Sequence, residues 1–172
     1  AYIYNNGLGD KYLGDWINSR NLQSDVVIIG KGAHTPDCKP EFIKPQIEES
    51  LDRLQLSKID IYCLHRDNAD IPVSEFIDAL NEIKTEGLIN TIGASNWELD
   101  RFSSARDYAL NNNKEPFSVL SNNFSLAQMI EPVWPGCVAV SNKFLDYINK
   151  NEIKLFPWSS TARGFFIRKK EI

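Results

Sequence analysis

Apolar and polar positions along this chain follow two different periods. Five short apolar runs are each closed by a polar or basic residue: Lys31 ends Asp25-Val-Val-Ile-Ile-Gly, His65 ends Ile59-Asp-Ile-Tyr-Cys-Leu, and Ser95-Asn96 follow Ile92-Gly-Ala. Ser121 ends Pro116-Phe-Ser-Val-Leu, and Trp158-Ser159 end Lys154-Leu-Phe-Pro, so the closures recur about every thirty residues. Between the runs, apolar positions repeat with helical spacing, and the order reads strand, helix, strand, helix. That order predicts a parallel sheet whose strand ends collect polar residues, which is where parallel α/β folds place their chemistry.

The helical segments can be drawn more closely. Apolar residues at 8, 12, 13, 16 and 17 form a stripe, with Asp10 as its expected N-cap. Pro45 marks the expected first turn of a helix carrying Ile47, Leu51 and Leu54. Val73, Phe76, Ile77, Leu80 and Ile83 share one face of a segment over 72–86, and Gly87 is its stop. A further helix is expected over about 98–110 and a short one over 142–150, whereas 125–136, with two prolines, reads as irregular. Five strands cannot close an eight-stranded barrel.

Composition narrows the reading. The 172 residues suffice for one domain with a real core, and residues 1–172 are taken as a single unit. A net charge of −4 and basic residues dispersed except for Arg168-Lys169-Lys170 argue against nucleic acid as a partner. No apolar stretch is long enough to span a membrane and no charged-then-apolar leader opens the chain, which leads to the expectation of a cytoplasmic protein. Cys38, Cys63 and Cys137 are far apart and outside any C-x-x-C spacing, so they are expected to be reduced packing residues. With only His34 and His65 as histidines, no metal site is expected. The start at Ala1, in a tyrosine-rich loop, reads as an excerpt of a longer polypeptide.

The residues at the strand ends suit carbonyl reduction. That reaction needs a hydride for the carbon and a proton for the developing alkoxide, and a tyrosine beside a cation can give such a proton. Tyr4 is the candidate acid, with Tyr2 as the alternative two residues away. Lys31 is the candidate cation and His65 the group that aligns the carbonyl oxygen.

Several stretches carry a family resemblance: Ala1-Tyr-Ile-Tyr-Asn-Asn-Gly-Leu-Gly-Asp, the Lys31 strand, Ser50-Leu-Asp-Arg-Leu-Gln-Leu followed by Ile59-Asp-Ile-Tyr-Cys-Leu-His, Gly87-Leu-Ile-Asn-Thr-Ile-Gly-Ala-Ser-Asn, and Trp158-Ser with Ala162-Arg-Gly. Together they resemble the aldo-keto reductases. The resemblance implies a (β/α)8 TIM barrel, present here as an incomplete barrel covering about strands 3 to 7, and an enzyme using NADPH to reduce an aldehyde or ketone. It implies that Tyr4 is the general acid, Lys31 its pKa-lowering partner and His65 the substrate-orienting residue. Ser95 and Asn96 match the pair that holds the nicotinamide carboxamide, and Ser121 stands where the family has Gln. Trp158 falls where an aromatic ring stacks on the nicotinamide, and Ser159, Thr161 and Arg163 match the loop beside the pyrophosphate. The family's catalytic Asp would fall two positions before Ala1. The implied partner is a small carbonyl substrate. The alternative reading is a nucleotide-binding regulatory subunit of the same fold that no longer turns over substrate. Trp134 and Trp16 are expected to be core or loop anchors, and His34 to rim the cleft.

Overall fold

The apolar runs form five parallel strands, β1 (Ile29–Gly32), β2 (Ile59–Leu64), β3 (Ile89–Ala94), β4 (Val119–Leu120) and β5 (Lys154–Leu155), paired in chain order. The computed structural model describes residues 2–167, so the basic cluster Arg168-Lys169-Lys170 lies outside the described residues. Helix α1 (Leu8–Arg20) precedes β1, and α2 (Pro40–Leu54), α3 (Val73–Thr85), α4 (Leu99–Asn111) and α5 (Asn142–Lys150) precede or connect the later strands. Parallel neighbours require such crossovers, and the expected alternation is the one observed.

Register decides which side chains reach the site. Lys31 pairs with Cys63, Cys63 with Gly93, Gly93 with Val119, and Val119 with Lys154. Successive side chains alternate across a strand, so Tyr62, Leu64, Ile92, Ala94 and Leu120 join the core under the helices, while Lys31, Cys63 and Val119 share the opposite face. That face is strongly concave. Lys31 Nζ donates to Ser121 Oγ at 3.0 Å. In a flat sheet β1 and β4 would stand about 14 Å apart, three strand spacings, beyond the reach of a lysine side chain. Gly93 leaves the space this curl needs, because a Cβ there would lie 2.6 Å from the Val119 carbonyl oxygen and 2.9 Å from Cys63 Sγ.

The core lies between the sheet and the helices. Trp97, just beyond β3, is fully buried and meets Phe76 of α3 and Phe117 before β4 edge to face, at ring-centroid distances of 5.8 and 5.3 Å. Phe102 of α4 stacks on Phe117 at 5.5 Å. These offset and T-shaped pairs favour one arrangement of α3 and α4 over β3 and β4. The three cysteines are buried and unpaired, in line with packing roles.

Three expectations at the N-terminal side are corrected. Asp10 is not an N-cap: α1 is entered through Gly7 in a left-handed conformation (φ 79°), and Asp10, in the first turn, accepts a 2.8 Å bond from Ser50 of α2. Pro45 does not open its helix, because Pro40 takes the first helical position and α2 runs through Pro45. Both prolines satisfy the local signal, and only packing decided between them. The α1 stripe is also not buried as a whole. Ile17 and Gly14 face α2, where a Cβ on Gly14 would collide with the Leu54 backbone, while Leu8, Tyr12, Leu13 and Trp16 stay exposed.

Strand ends differ from the expected runs for similar reasons. β2 and β3 match them, but β1 starts at Ile29, just after Ile28, whose N–H donates to Asp60 Oδ2 at 2.9 Å. It then carries Lys31 and Gly32 inside the strand. Both β4 and β5 shrink to two residues. The helices over 73–85 and 142–150 and the irregular stretch at 125–136 are as expected, and Gly87 adopts φ 84° as the stop after α3.

Candidate active site

The polar closures after β2, β3 and β4 sit where the sheet ends, and backbone bonds carry the ladder one residue past each of these strands. His65 N–H donates to Gly32 O (2.6 Å), Ser95 N–H to Leu64 O (2.7 Å) and Ser121 N–H to Ala94 O (2.8 Å). Their side chains therefore keep the alternation of Cys63, Gly93 and Val119 and point to the concave face. There His65 and Ser95 border a cleft of about 700 Å³, a volume typical of small-molecule and cofactor sites.

Tyr4 reaches the cleft from the N-terminal loop. Asn5, Asn6 and Gly7 all have positive φ (52°, 51° and 79°), a run that Asn and Gly tolerate best, and it swings the chain from Tyr4 into α1. Tyr4 Oη lies 3.4 Å from His65 Nε2, with the rings 5.6 Å apart. His34 rims the same space, its ring edge-on to His65 at 4.9 Å.

The electrostatics of this group have clear causes. Burial, reinforced by Lys31, His34 and Arg66, pushes His65 down to about 3, so its imidazole is neutral at pH 7. Its Nδ1 is buried without a partner among the described residues. Lys31 is lowered, first by burial and further by Arg66, with neighbouring Cys63 opposing. Burial holds the Cys63 thiol up at about 12, uncharged beside Lys31. Tyr4 departs from expectation. Its phenol is raised above the ordinary value by burial, and the cation that opposes this is Arg66, not Lys31. Lys31 directs its ammonium to Ser121 instead, because the curl of the sheet brings β4 beneath it.

The strand ends are tied together by a buried amide network. Ser95 Oγ donates to Ser121 O at 2.5 Å. Asn96, in a left-handed conformation (φ 60°), donates through Nδ2 to His65 O (3.2 Å) and Ser95 Oγ (3.0 Å), and its Oδ1 accepts from Val138 N–H (3.3 Å). Asn122 completes the set, accepting from Asn96 N–H at 2.6 Å and donating to Trp97 O at 2.9 Å. Asn122 did not stand out in the sequence, although a polar pair directly after an apolar run, as in Ser95-Asn96, was a usable signal. Asn123, beyond β4, donates to the carbonyl of Trp158, beyond β5 (3.3 Å), and the Trp158 indole lines the cleft with its N–H buried and unpartnered among the described residues.

Of the residues singled out in the sequence, Tyr4, Lys31, His65, Ser95, Asn96, Trp158 and Ser159 line one cleft. Ser121 lies beneath it, bonded to Lys31. Thr161 is exposed outside it, and Arg163 borders a neighbouring hollow with its guanidinium 5.4 Å from the Trp134 ring. Trp134 is no core residue: it is 54% exposed and forms a wall of the cleft 6.4 Å from Trp158. Trp16 is likewise at the surface, under Arg20 at 5.3 Å. Arg66 was missed altogether. It follows the strand-closing histidine, where alternation points a side chain away from the site, yet it turns back into the cleft wall.

Known proteins share this fold. An aldo-keto reductase of Fusarium vanettenii is 22% identical over 98% of this chain and 51% of its own length. A glycerol dehydrogenase from Gluconobacter oxydans superposes with a TM-score of 0.79 at 18% identity, over 99% of this chain and 51% of that one. An aldo/keto reductase from Klebsiella pneumoniae, solved with NADP and acetate, superposes with a TM-score of 0.74 at 21% identity, over 96% of this chain and 53% of that one. The chain thus spans about half the length of the curated relatives it matches, and its curled five-stranded sheet is an incomplete (β/α)8 barrel. The sequence matches the aldo/keto reductase family over residues 1–172, and the chain belongs to that family.

Proposed function

We propose that this site reduces an aldehyde or ketone to the alcohol with NADPH, Tyr4 serving as general acid, His65 orienting the carbonyl and Lys31 forming the cationic floor. The observation that carries the proposal is the Tyr4 Oη to His65 Nε2 approach of 3.4 Å inside the cleft at the strand ends. A carbonyl oxygen placed in the cleft within hydrogen-bond reach of both atoms meets a proton donor and a neutral imidazole at once. The raised phenol is fully protonated at pH 7, so the acid form is present; the Arg66 charge is what eases transfer of its proton to the developing alkoxide.

The residues fit a nicotinamide. Trp158 offers an indole face in the cleft, and Asn96 Oδ1, with a single 3.3 Å bond from Val138, keeps a lone pair for a carboxamide N–H. Ser95 borders the same place with Ser121 beneath it, and Ser159, Thr161 and Arg163 follow on the loop suited to the pyrophosphate. When bound, reduced nicotinamide supplies the hydride. The Klebsiella relative solved with NADP supports the choice of nucleotide.

Tyr4→Phe tests the proposal. Turnover of an aromatic aldehyde, followed by loss of NADPH absorbance, falls about two to four orders of magnitude while nucleotide binding is kept. Near-normal turnover removes Tyr4 from the mechanism and makes Tyr2 the next acid to examine. The raised Tyr4 phenol is the observation that favours the second reading, a nucleotide-binding subunit without turnover. NADPH binding by the unsubstituted protein with no aldehyde reduction would decide for that reading.

A further inference from the structure

The proposed reduction uses the charge of Arg66 but leaves its hydrogen-bond donors unexplained. Arg66 is only 9% exposed, and it lines the cleft beside His65. Its Nη1 donates to the His65 carbonyl (2.9 Å), its Nη2 to Cys137 Sγ (3.7 Å), and its Nε has no partner among the described residues. A guanidinium carries five N–H donors, so most of its capacity is unspent. No carboxylate pairs with it among the described residues. Its sequence neighbour Asp67 is held by Arg101 through two 2.8 Å bonds. Among the described residues, the cleft wall contains Lys31 and Arg66 and neither Asp nor Glu. A charge taken out of water without a counter-ion is strongly disfavoured, and an anion arriving in the cleft relieves that cost.

Position indicates which anion. Arg66 emerges from the same strand end as His65, next to where a carbonyl oxygen meets Tyr4 and His65, and the 134–137 loop folds over it: a Cβ on Gly136 would sit 3.5 Å from its Cδ. The loop that suits nucleotide phosphates, 159–163, follows β5 instead. We infer that Arg66 receives the carboxylate of the substrate, so that the preferred carbonyl compounds carry a carboxylate close to the reacting carbon, as 2-oxo acids and short aldehyde acids do. The planar fork of the guanidinium matches a carboxylate with two parallel hydrogen bonds, which fixes the orientation of the carbonyl as well as adding affinity. This inference rests on the carbonyl-reductase reading of the cleft for its choice of substrate, and its anion site can be tested without nucleotide.

The test is binding of pyruvate and of its uncharged methyl ester to the 172-residue chain, without nucleotide, followed by calorimetry and by tryptophan fluorescence. Pyruvate is expected to bind about 10- to 100-fold more tightly than the ester, the range of one charged hydrogen-bonding partner. Arg66→Met abolishes that preference, Arg66→Lys restores part of it, which excludes misfolding as the cause, and Lys31→Met keeps it. Equal binding of the two probes by the unsubstituted chain overturns the inference, as does a preference that survives Arg66→Met. Pyrophosphate that binds through Arg66 while pyruvate does not would assign the residue to nucleotide phosphate and also overturn it. An Arg66-dependent preference for pyruvate in a protein that shows no NADPH-linked turnover would sink the reductase reading and leave the anion site standing.

Discussion

The middle of the sheet and its β1 edge are built from similar residues and end in very different states. At the centre, β2 and β3 are six residues each, Leu64, Ile92 and Ala94 are fully buried, and the polar residues after them are bonded to one another through Asn96 and Asn122. At the edge, β1 has four residues, Val27 is 69% and Ile29 40% exposed, and α1 leaves Leu13 and Trp16 at the surface. The candidate site straddles this divide. His65, Ser95 and Asn96 stand on the central strands, whereas Lys31 belongs to the edge strand and Tyr4 to the loop before α1. His65, Ser95 and Asn96 are thus held by the bonded centre, and Lys31 and Tyr4 sit on the side that is more exposed among the described residues. Local stability is set by burial and bonded neighbours, so the two halves should open independently.

The sharpest way to break the comparison is Trp97→Ala. It empties the centre of the aromatic cluster and frees the Arg66 carbonyl from its 3.1 Å indole bond, and about 3–5 kcal/mol of stability is expected to be lost in urea unfolding. A loss below about 1 kcal/mol would show that the centre is no more consolidated than the edge.

His65 gives a pH-dependent test of the same region. Its folded value, about 3, lies below the ordinary 6.5, so between those values the unfolded chain binds more protons and stability falls as pH is lowered. Above about 6.5 both states are neutral and the contribution is constant. His65→Gln should flatten the stability profile between about pH 6.5 and 3 by a few kcal/mol. An unchanged slope would mean that the imidazole is hydrated rather than buried.

Asn122→Ala removes the acceptor for Asn96 N–H and the donor to Trp97 O, at an expected cost of about 1–3 kcal/mol, with slower-exchanging β3 amides becoming less protected. At the edge, Trp16→Ala loses only a surface ring and its contact with Arg20, and a change under about 1 kcal/mol is expected. A larger effect there would show that α1 packs against something beyond the described residues.

Legibility follows the same division. His65 and Ser95 could be placed because a buried parallel strand is a continuous apolar run, and the first polar residue after it has to lie at the strand end. The helix over 73–85 was readable because Phe76, Ile77, Leu80 and Ile83 bury one face and Gly87 supplies the left-handed stop. The α1 stripe misled because a helical period specifies a face without specifying what covers it. Trp134 could not be assigned between core and loop for the converse reason: an aromatic between two prolines carries no periodic signal at all.

The sequence by itself determined the order of strands and helices, the parallel sheet, the family and the residues that close the central strands, since each depends on spacing within about a dozen positions or on motifs met in a fixed order. Only the tertiary structure decided which cation acts on which group. The curl of the sheet carries Lys31 past two strands to Ser121, and the backbone beyond His65 turns Arg66 into the cleft, where its charge reaches Tyr4. Coulombic effects depend on distance and on the water excluded between charges, and neither is a property of spacing along a chain.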